Sequence, residues 1–216
     1  MPKEWIRKQK KDYYYRKAKK EDLRSRASFK LLEAVEKYEF MRPGDVVVDL
    51  GAAPGGWLQV ARKIIGDSGF VLGVDVNEIE PLGFTNVFTI VGDIRKPETI
   101  RRIKAILPRP PHVVISDVSP HVSGIWELDH ARQIELAEAS LNIAVSTLRI
   151  GGNFFVKVFQ GELQSEFLSS VRERFHRVRF FKPKASRKES AEIYLLGIKY
   201  KGEKRKPSLN GLQRPS

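Results

Sequence analysis

Apolar residues recur along this chain in two rhythms, short unbroken runs and helical spacings, and the two alternate. The first run, Val46-Val47-Val48-Asp49-Leu50, has four apolar positions in five, three of them β-branched, and reads as a buried strand. It stops at Gly51; Pro54, Gly55 and Gly56 make a tight turn, and helical spacing returns from 57 to 65. Upstream, Ala27, Leu31, Ala34 or Val35, and Tyr38 share one face of an amphipathic helix, with Lys30 near its edge. Downstream, the pattern predicts strands at 70–75, 86–91, 112–117 and 153–159, helices at 97–106, 129–148 and 163–175, and closing strands at 178–181 and 192–200. Pro- and Gly-bearing turns at 42–45, 108–111 and 151–152 separate several of them. Residues 1–22 have little apolar periodicity and read as an arm that is mobile or ordered by binding. Strands alternating with helices, then two closing strands, indicate one doubly wound α/β domain.

In such a domain ligands bind at the carboxyl ends of the strands, and these ends are acidic. Asp49, Asp75, Asp93 and Asp117 each fall at or near the end of a predicted strand. A dinucleotide loop wants Gly-x-Gly-x-x-Gly, but the second glycine position after Gly51 holds Ala53, and no Gly-Lys-Ser/Thr phosphate loop follows either. An acidic rim repels phosphate and favours a cation, an amine or a ribose diol, and S-adenosylmethionine offers all three. Asp75, 24 residues after Gly51, stands where a second-strand acid meets a ribose. Taken singly, each aspartate could equally cap a helix or turn.

Charge extends this picture. The 216 residues carry a formal +13, unevenly: 1–26, 172–188 and 199–216 are net +7, +7 and +5, so the remainder is net −6. Basic segments around an acidic centre suit a polyanion gripped outside a cofactor cleft. Trp5, Tyr13, Tyr14 and Tyr15 among the first lysines add stacking faces, which favours RNA or DNA over a membrane surface. There is no cysteine, no metal-ligand cluster, no apolar run of transmembrane length and no signal-peptide pattern, so an intracellular protein is expected.

One residue breaks the fifth run. Lys157 lies inside Asn153-Phe154-Phe155-Val156-Lys157-Val158-Phe159 and must snorkel to water, pair with acids or work as a base. Lys30, read alone, is a solvated lysine.

Five stretches carry a resemblance: Arg24-Ser25-Arg26-Ala27-Ser28-Phe29-Lys30-Leu31, Asp49 to Trp57, Ser116-Asp117 with Pro120 and Ser123-Gly124, Val156-Lys157-Val158-Phe159-Gln160-Gly161, and Glu192-Ile193-Tyr194. Over residues 25–200 the chain resembles the FtsJ-type ribosomal RNA 2′-O-ribose methyltransferases. The resemblance implies a single Rossmann-like class I S-adenosylmethionine-dependent methyltransferase domain, α/β, with a seven-stranded, mostly parallel sheet, an antiparallel last strand and helices on both faces. It places a catalytic Lys-Asp-Lys-Glu tetrad on Lys30, Asp117, Lys157 and Glu192, and cofactor contacts on Gly55, Trp57, Asp75, Asp93 and Asp117. His121 departs from the family, which usually has asparagine there. The expected organisation is a basic, tyrosine-rich arm (1–24), the methyltransferase domain (25–200) and a disordered basic tail (201–216).

The chemistry implied is methyl transfer from S-adenosylmethionine to a ribose 2′-hydroxyl of RNA, with a uridine of large-subunit (23S-type) ribosomal RNA as the target. Lys157 is expected to orient and deprotonate the hydroxyl, with Lys30, Asp117 and Glu192 setting its state. No metal is needed, because the leaving group is neutral. The protein is expected to be a cytoplasmic monomer without an obligate protein partner or membrane. Transfer RNA as substrate, or a non-catalytic RNA-binding assembly factor, are the rival readings; a dehydrogenase is disfavoured by Ala53 and the acidic rim.

Overall fold

A computed structural model describes residues 12–187 and 190–202. Its sheet has seven strands, β1 (Val46–Leu50), β2 (Phe70–Asp75), β3 (Val87–Val91), β4 (Val113–Ser116), β5 (Asn153–Phe159), β6 (Phe175–Phe181) and β7 (Glu192–Tyr200), in the spatial order β3-β2-β1-β4-β5-β7-β6. The first five pair in parallel, and β7 runs antiparallel to both β5 and β6. From β1 the chain first builds outward through β2 and β3, then returns to add β4 on the other side. That reversal opens a crevice between the carboxyl ends of β1 and β4.

The described residues form six helices, α1 (Tyr13–Lys20), α2 (Ser28–Tyr38), α3 (Gly56–Ile65), α4 (Pro97–Ile106), α5 (Trp126–Thr147) and α6 (Gln164–Arg174), of which α2 to α6 pack on the sheet. The two-residue period of the strands divides the core. Val48, Leu50 and Phe154 meet Ile103, Leu141 and Phe167 of α4, α5 and α6 on one face. Val47, Phe155 and Tyr194 meet Leu31 and Leu58 of α2 and α3 on the other. A wholly buried side chain of this kind contributes about 1.5–3 kcal/mol, so both layers hold the sheet rigid beneath its carboxyl edge. Lys157 shares the parity of Phe155 and therefore points to the α2–α3 face.

Gly51 shows why the first loop cannot carry another residue at that point. Its φ is +76°, and a Cβ there would lie 2.8 Å from the Val118 Cα. The loop after β1 thus presses directly on the chain leaving β4.

Two expected boundaries move. The last predicted helix ends at Arg174 and the following strand begins at Phe175, three residues earlier than its apolar pattern indicates. Phe175 is buried against Phe154 and Tyr200, while exposed His176, Arg177 and Arg179 make this edge strand look polar. The arm also differs from expectation. Residues 13–20 are helical, capped by Asp12, whose carboxylate accepts from the Tyr15 N–H at 3.2 Å and pairs with Arg26. Ala18 packs with Phe29 and Ala185, so the buried face of α1 is too small to show as periodicity. Residues 1–11 of the arm and the tail from 203 lie outside the described residues. No helix among the described residues is long and apolar enough to cross a membrane.

Candidate active site

A cavity of about 620 Å³ lies at the carboxyl edge, walled by Gly51, Asp75, Asp93 and Asp117 from the strand ends and by Arg132 and Glu135 from α5. Asp75 is held by backbone: one oxygen accepts from the Ala53 N–H at 3.0 Å, the other from the Asn77 N–H at 2.8 Å. Asp93 takes a two-pronged bond from the Arg95 guanidinium, at 3.0 and 2.8 Å, which keeps its carboxyl below the usual range. Arg95 also reaches Glu135 at 3.7 Å across the cavity wall.

Gly55 and Trp57 are not in that wall. Gly55 caps α3 with φ +108°, and a Cβ there would approach the Arg24 guanidinium, whose nitrogens donate to the carbonyls of Pro54 (3.1 Å), Glu80 (2.6 Å) and Pro81 (2.9 Å). The Trp57 indole is buried; its N–H donates to the Ala27 carbonyl at 2.7 Å and its ring packs on Phe155 and Tyr194. Trp57 thereby fixes the start of α2, from which Lys30 projects.

Asp49 departs from the acidic rim more completely. It is 0 % exposed on the inner part of β1, and neither of its oxygens has a hydrogen-bond partner among the described residues. Burial, then the charges of Asp117 and Asp75, pushes its carboxyl well above the ordinary value, towards the neutral form.

The four tetrad positions come together from α2, the β4 exit, β5 and β7. Lys157 Nζ lies 3.0 Å from Asp117 Oδ1, and it donates to the Asp117 carbonyl at 2.7 Å and to the Ser119 hydroxyl. Lys30 Nζ pairs with Glu192 Oε1 at 2.6 Å, with only 11 % of the Lys30 side chain exposed. The solvated lysine of the sequence reading is thus half-buried and paired, with its partner supplied from far along the chain. Between the two pairs stands Tyr194, directly opposite Lys157 in the β5–β7 register. Its hydroxyl donates to Asp117 Oδ1 at 2.7 Å and lies 3.4 Å from Glu192 Oε1.

Electrostatics follow from these contacts. Burial would raise the Asp117 carboxyl, but Lys157, Lys30 and the Tyr194 hydroxyl outweigh it and hold the group below its ordinary value. Burial, with Asp117 and Glu192 close by, pushes the Tyr194 hydroxyl well up, so it stays a neutral donor. The Ser186 hydroxyl donates to Glu192 at 2.9 Å, and its loop is tied down by Glu33, which accepts from the N–H groups of Lys184 (2.8 Å) and Ala185 (3.1 Å). Sequence reasoning missed Tyr194 and Ser119 as site residues. Tyr194 was accessible, since it shares strand parity with Glu192 two residues before it; Ser119 carried no signal beyond lying between Asp117 and Pro120.

The family model for FtsJ-like methyltransferases matches residues 23–200. The chain is 46 % identical over 205 residues to a Methanocaldococcus jannaschii protein named ribosomal RNA large subunit methyltransferase E, covering 94 % of this chain and 84 % of that one. A protein of the same name from Methanothrix thermoacetophila is 53 % identical over 189 residues, covering 88 % and 72 %. Among solved structures, a ribosomal RNA methyltransferase from Plasmodium falciparum superposes with a TM-score of 0.74 at 27 % identity, over 83 % of this chain and 100 % of that one. Fibrillarin from Aeropyrum pernix, solved with bound S-adenosyl-L-methionine, shares the fold at a TM-score of 0.57 and 18 % identity, over 79 % and 76 % of the two chains.

Proposed function

Since the chain belongs to the FtsJ-like methyltransferase family, we propose that it methylates a ribose 2′-hydroxyl of large-subunit ribosomal RNA, at a uridine, using S-adenosylmethionine. One observation carries this reading: two lysine–carboxylate pairs, Lys157–Asp117 and Lys30–Glu192, meet at the Tyr194 hydroxyl beside an aspartate-walled cavity.

The cavity suits the cofactor. Asp75 ends the second strand, where a carboxylate can accept from a ribose diol, and Asp93 and Asp117 supply negative wall for an amine and a sulfonium centre. When bound there, S-adenosylmethionine supplies a methyl group already activated by positive charge. The protein's task is then to align the ribose oxygen and remove its proton. Lys157 is the group for both. Its nitrogen is fixed by the carboxylate and the carbonyl of Asp117, and it also donates to the hydroxyl of Ser119, a residue of the cavity wall. As the oxygen–methyl bond forms and the methyl–sulfur bond breaks, the hydroxyl proton is taken up at Lys157 Nζ, which must first have given one of its own protons to solvent. Asp117, kept ionised by its partners, stabilises the resulting ammonium, and Lys30, paired with Glu192, completes the set beside it. His121 lies in the cavity wall but outside this set of contacts.

The reading places the protein in the cytoplasm as a monomer acting on RNA. The basic α1 and the 182–187 loop flank the tetrad, joined through Phe29 and Ala185, and their charge suits the phosphate backbone. The test is radiolabelled methyl transfer from S-adenosylmethionine to large subunits, free ribosomal RNA and transfer RNA lacking the modification, with Lys157→Ala as control. Label on ribosomal RNA, absent in the variant, is the expected result. Label on transfer RNA alone overturns the substrate, and no label on any RNA despite cofactor binding overturns the enzyme.

A further inference from the structure

We propose that Trp126, with His130 and Phe159, forms a stacking platform for the base of the nucleotide being methylated; the proposal rests on the function just described. Trp126 opens α5 and is 46 % exposed. Its ring runs nearly parallel to those of His130 (centroids 5.6 Å apart, 16°) and Phe159 (6.1 Å, 19°). The three residues come from two separate elements, and each is held in place.

His130 is buried, and its Nε2 accepts from the Leu163 N–H at 3.2 Å. The turn after β5 fits around it because residue 161 is glycine: a Cβ there would lie 2.6 Å from the imidazole Cε1. Asp129 fixes the approach to the helix. Its carboxylate accepts from the N–H and hydroxyl of Ser123, both at 2.8 Å, and from the Gly124 N–H at 3.1 Å. The segment that leaves Ser119, in contact with Lys157, therefore arrives at Trp126 along a pinned path. An indole held this way offers a stacking surface with little left to order on binding.

Position identifies the occupant. Phe159 follows Lys157 by two residues on the same face of β5, about 7 Å along the strand. A ribose whose 2′-oxygen sits at Lys157 carries its base on the adjoining carbon, so that base must lie close beside the lysine. Among the described residues, the other exposed phenylalanines and Tyr13 lie elsewhere: Phe84 and Phe88 belong with the β3 edge, Phe180 lies on β6 and Tyr13 on α1. Exposed Ile125 precedes the indole in the chain, and exposed Leu163 is bonded to His130 through its N–H, so apolar side chains accompany the platform, a setting that suits a planar base. Stacking of this sort tolerates any base, so the platform grips the target nucleotide while the RNA around it supplies the sequence choice.

The experiment compares wild type, Trp126→Ala and Trp126→Phe on an RNA fragment containing the mapped target, and on the same fragment with the target base removed. The expected result is a KM for intact RNA raised about tenfold or more by Trp126→Ala, near-wild-type behaviour for Trp126→Phe, and equal KM for wild type and Trp126→Ala on the abasic RNA. S-adenosylmethionine affinity and Tm should not move between the two variants. An unchanged KM in Trp126→Ala, or the same penalty on abasic RNA, overturns the platform, the second by assigning the indole to another contact. Failure of the unaltered enzyme to methylate any RNA overturns the parent function, and the platform with it.

Discussion

Asp49, on β1, and Asp117, just beyond the end of β4, stand on neighbouring strands at the same end of one sheet. Asp117 is met by the Lys157 ammonium, the Tyr194 hydroxyl and, farther off, Lys30, and its carboxyl is pulled below the ordinary value despite a side chain only 16 % exposed. Asp49 is 0 % exposed, meets neither cation nor donor among the described residues, and is pushed well up. Burial acts on both groups in the same direction. The partners decide which is held towards the ionised form and which is pushed towards the neutral one. The acidic edge is therefore two regions: a paired, charged one between β4, β5 and β7, where a proton can be managed, and a silent one inside β1 that shapes the core.

The largest effect is expected from removing the ammonium. Lys157→Ala should lower kcat for methyl transfer by about 10²–10⁴-fold while leaving S-adenosylmethionine binding in place. It should also lower Tm, because Asp117 is left as a buried charge without its partner. Adding Asp117→Asn to that variant should recover Tm and leave activity absent. A Lys157→Ala enzyme with full turnover contradicts the role given to the lysine, and a double variant no more stable than the single contradicts the charge argument.

A smaller loss should follow from Tyr194→Phe. The ring, stacked 4.8 Å from Phe155, remains, and only the 2.7 Å bond to Asp117 is removed. A hydrogen bond to a charged group is worth about 1.5–3 kcal/mol, so Tm should fall by that equivalent and kcat by about tenfold. Unchanged kcat would restrict Tyr194 to packing.

The two aspartates should also carry opposite pH signatures. Asp117, with its folded value depressed, contributes stability present above the unfolded value near 3.9 and lost as pH falls through the folded one. Asp49, with its folded value raised, binds a proton in the folded state that the unfolded chain releases, so it costs stability as pH climbs from about 4 towards neutrality. The Tm difference between Asp49→Asn and wild type should thus shift in the variant's favour across that range. For Asp117→Asn it should shift against the variant as pH rises from about 3 to 5. Parallel melting curves for Asp49→Asn and wild type would mean that Asp49 has a partner after all.

The contrast also explains how far the sequence could be read. Strand runs, glycine turns and helical spacings set the order of elements, because each depends on neighbours within a few residues. β2, β5 and β7 fall at their expected bounds. Lys157 stood out because a lysine in an apolar run is conspicuous by itself. Lys30 did not, since its partner Glu192 is brought to it only by the β5–β7 pairing and the docking of α2. Asp49 looked equivalent to Asp75 and Asp93 because sequence gives a residue's place along a strand but not the depth at which the strand ends. The α1 helix was hidden by having one buried alanine as its anchor.

The smallest effect concerns charges that face solvent. Arg16, Lys19 and Lys20 lie exposed on α1, while neighbouring Lys17 is partly committed within the chain, 3.8 Å from Glu21 and over the Phe29 ring at 4.6 Å. Replacing Arg16, Lys19 and Lys20 by glutamine should leave α1 docked, since Asp12, Ala18 and Phe29 are untouched. Every phosphate that is no longer neutralised should reduce the slope of log affinity against log salt by about 0.7–0.9. Three cations are removed, so RNA binding should weaken and its salt slope flatten by no more than about 2–3. Affinity for S-adenosylmethionine should stay at the wild-type value, because the cavity proposed to hold it is walled by the strand ends and α5 rather than by α1. An RNA affinity and salt slope equal to wild type would assign these charges to solubility, and the 182–187 loop would then have to supply the grip that the basic arm does not.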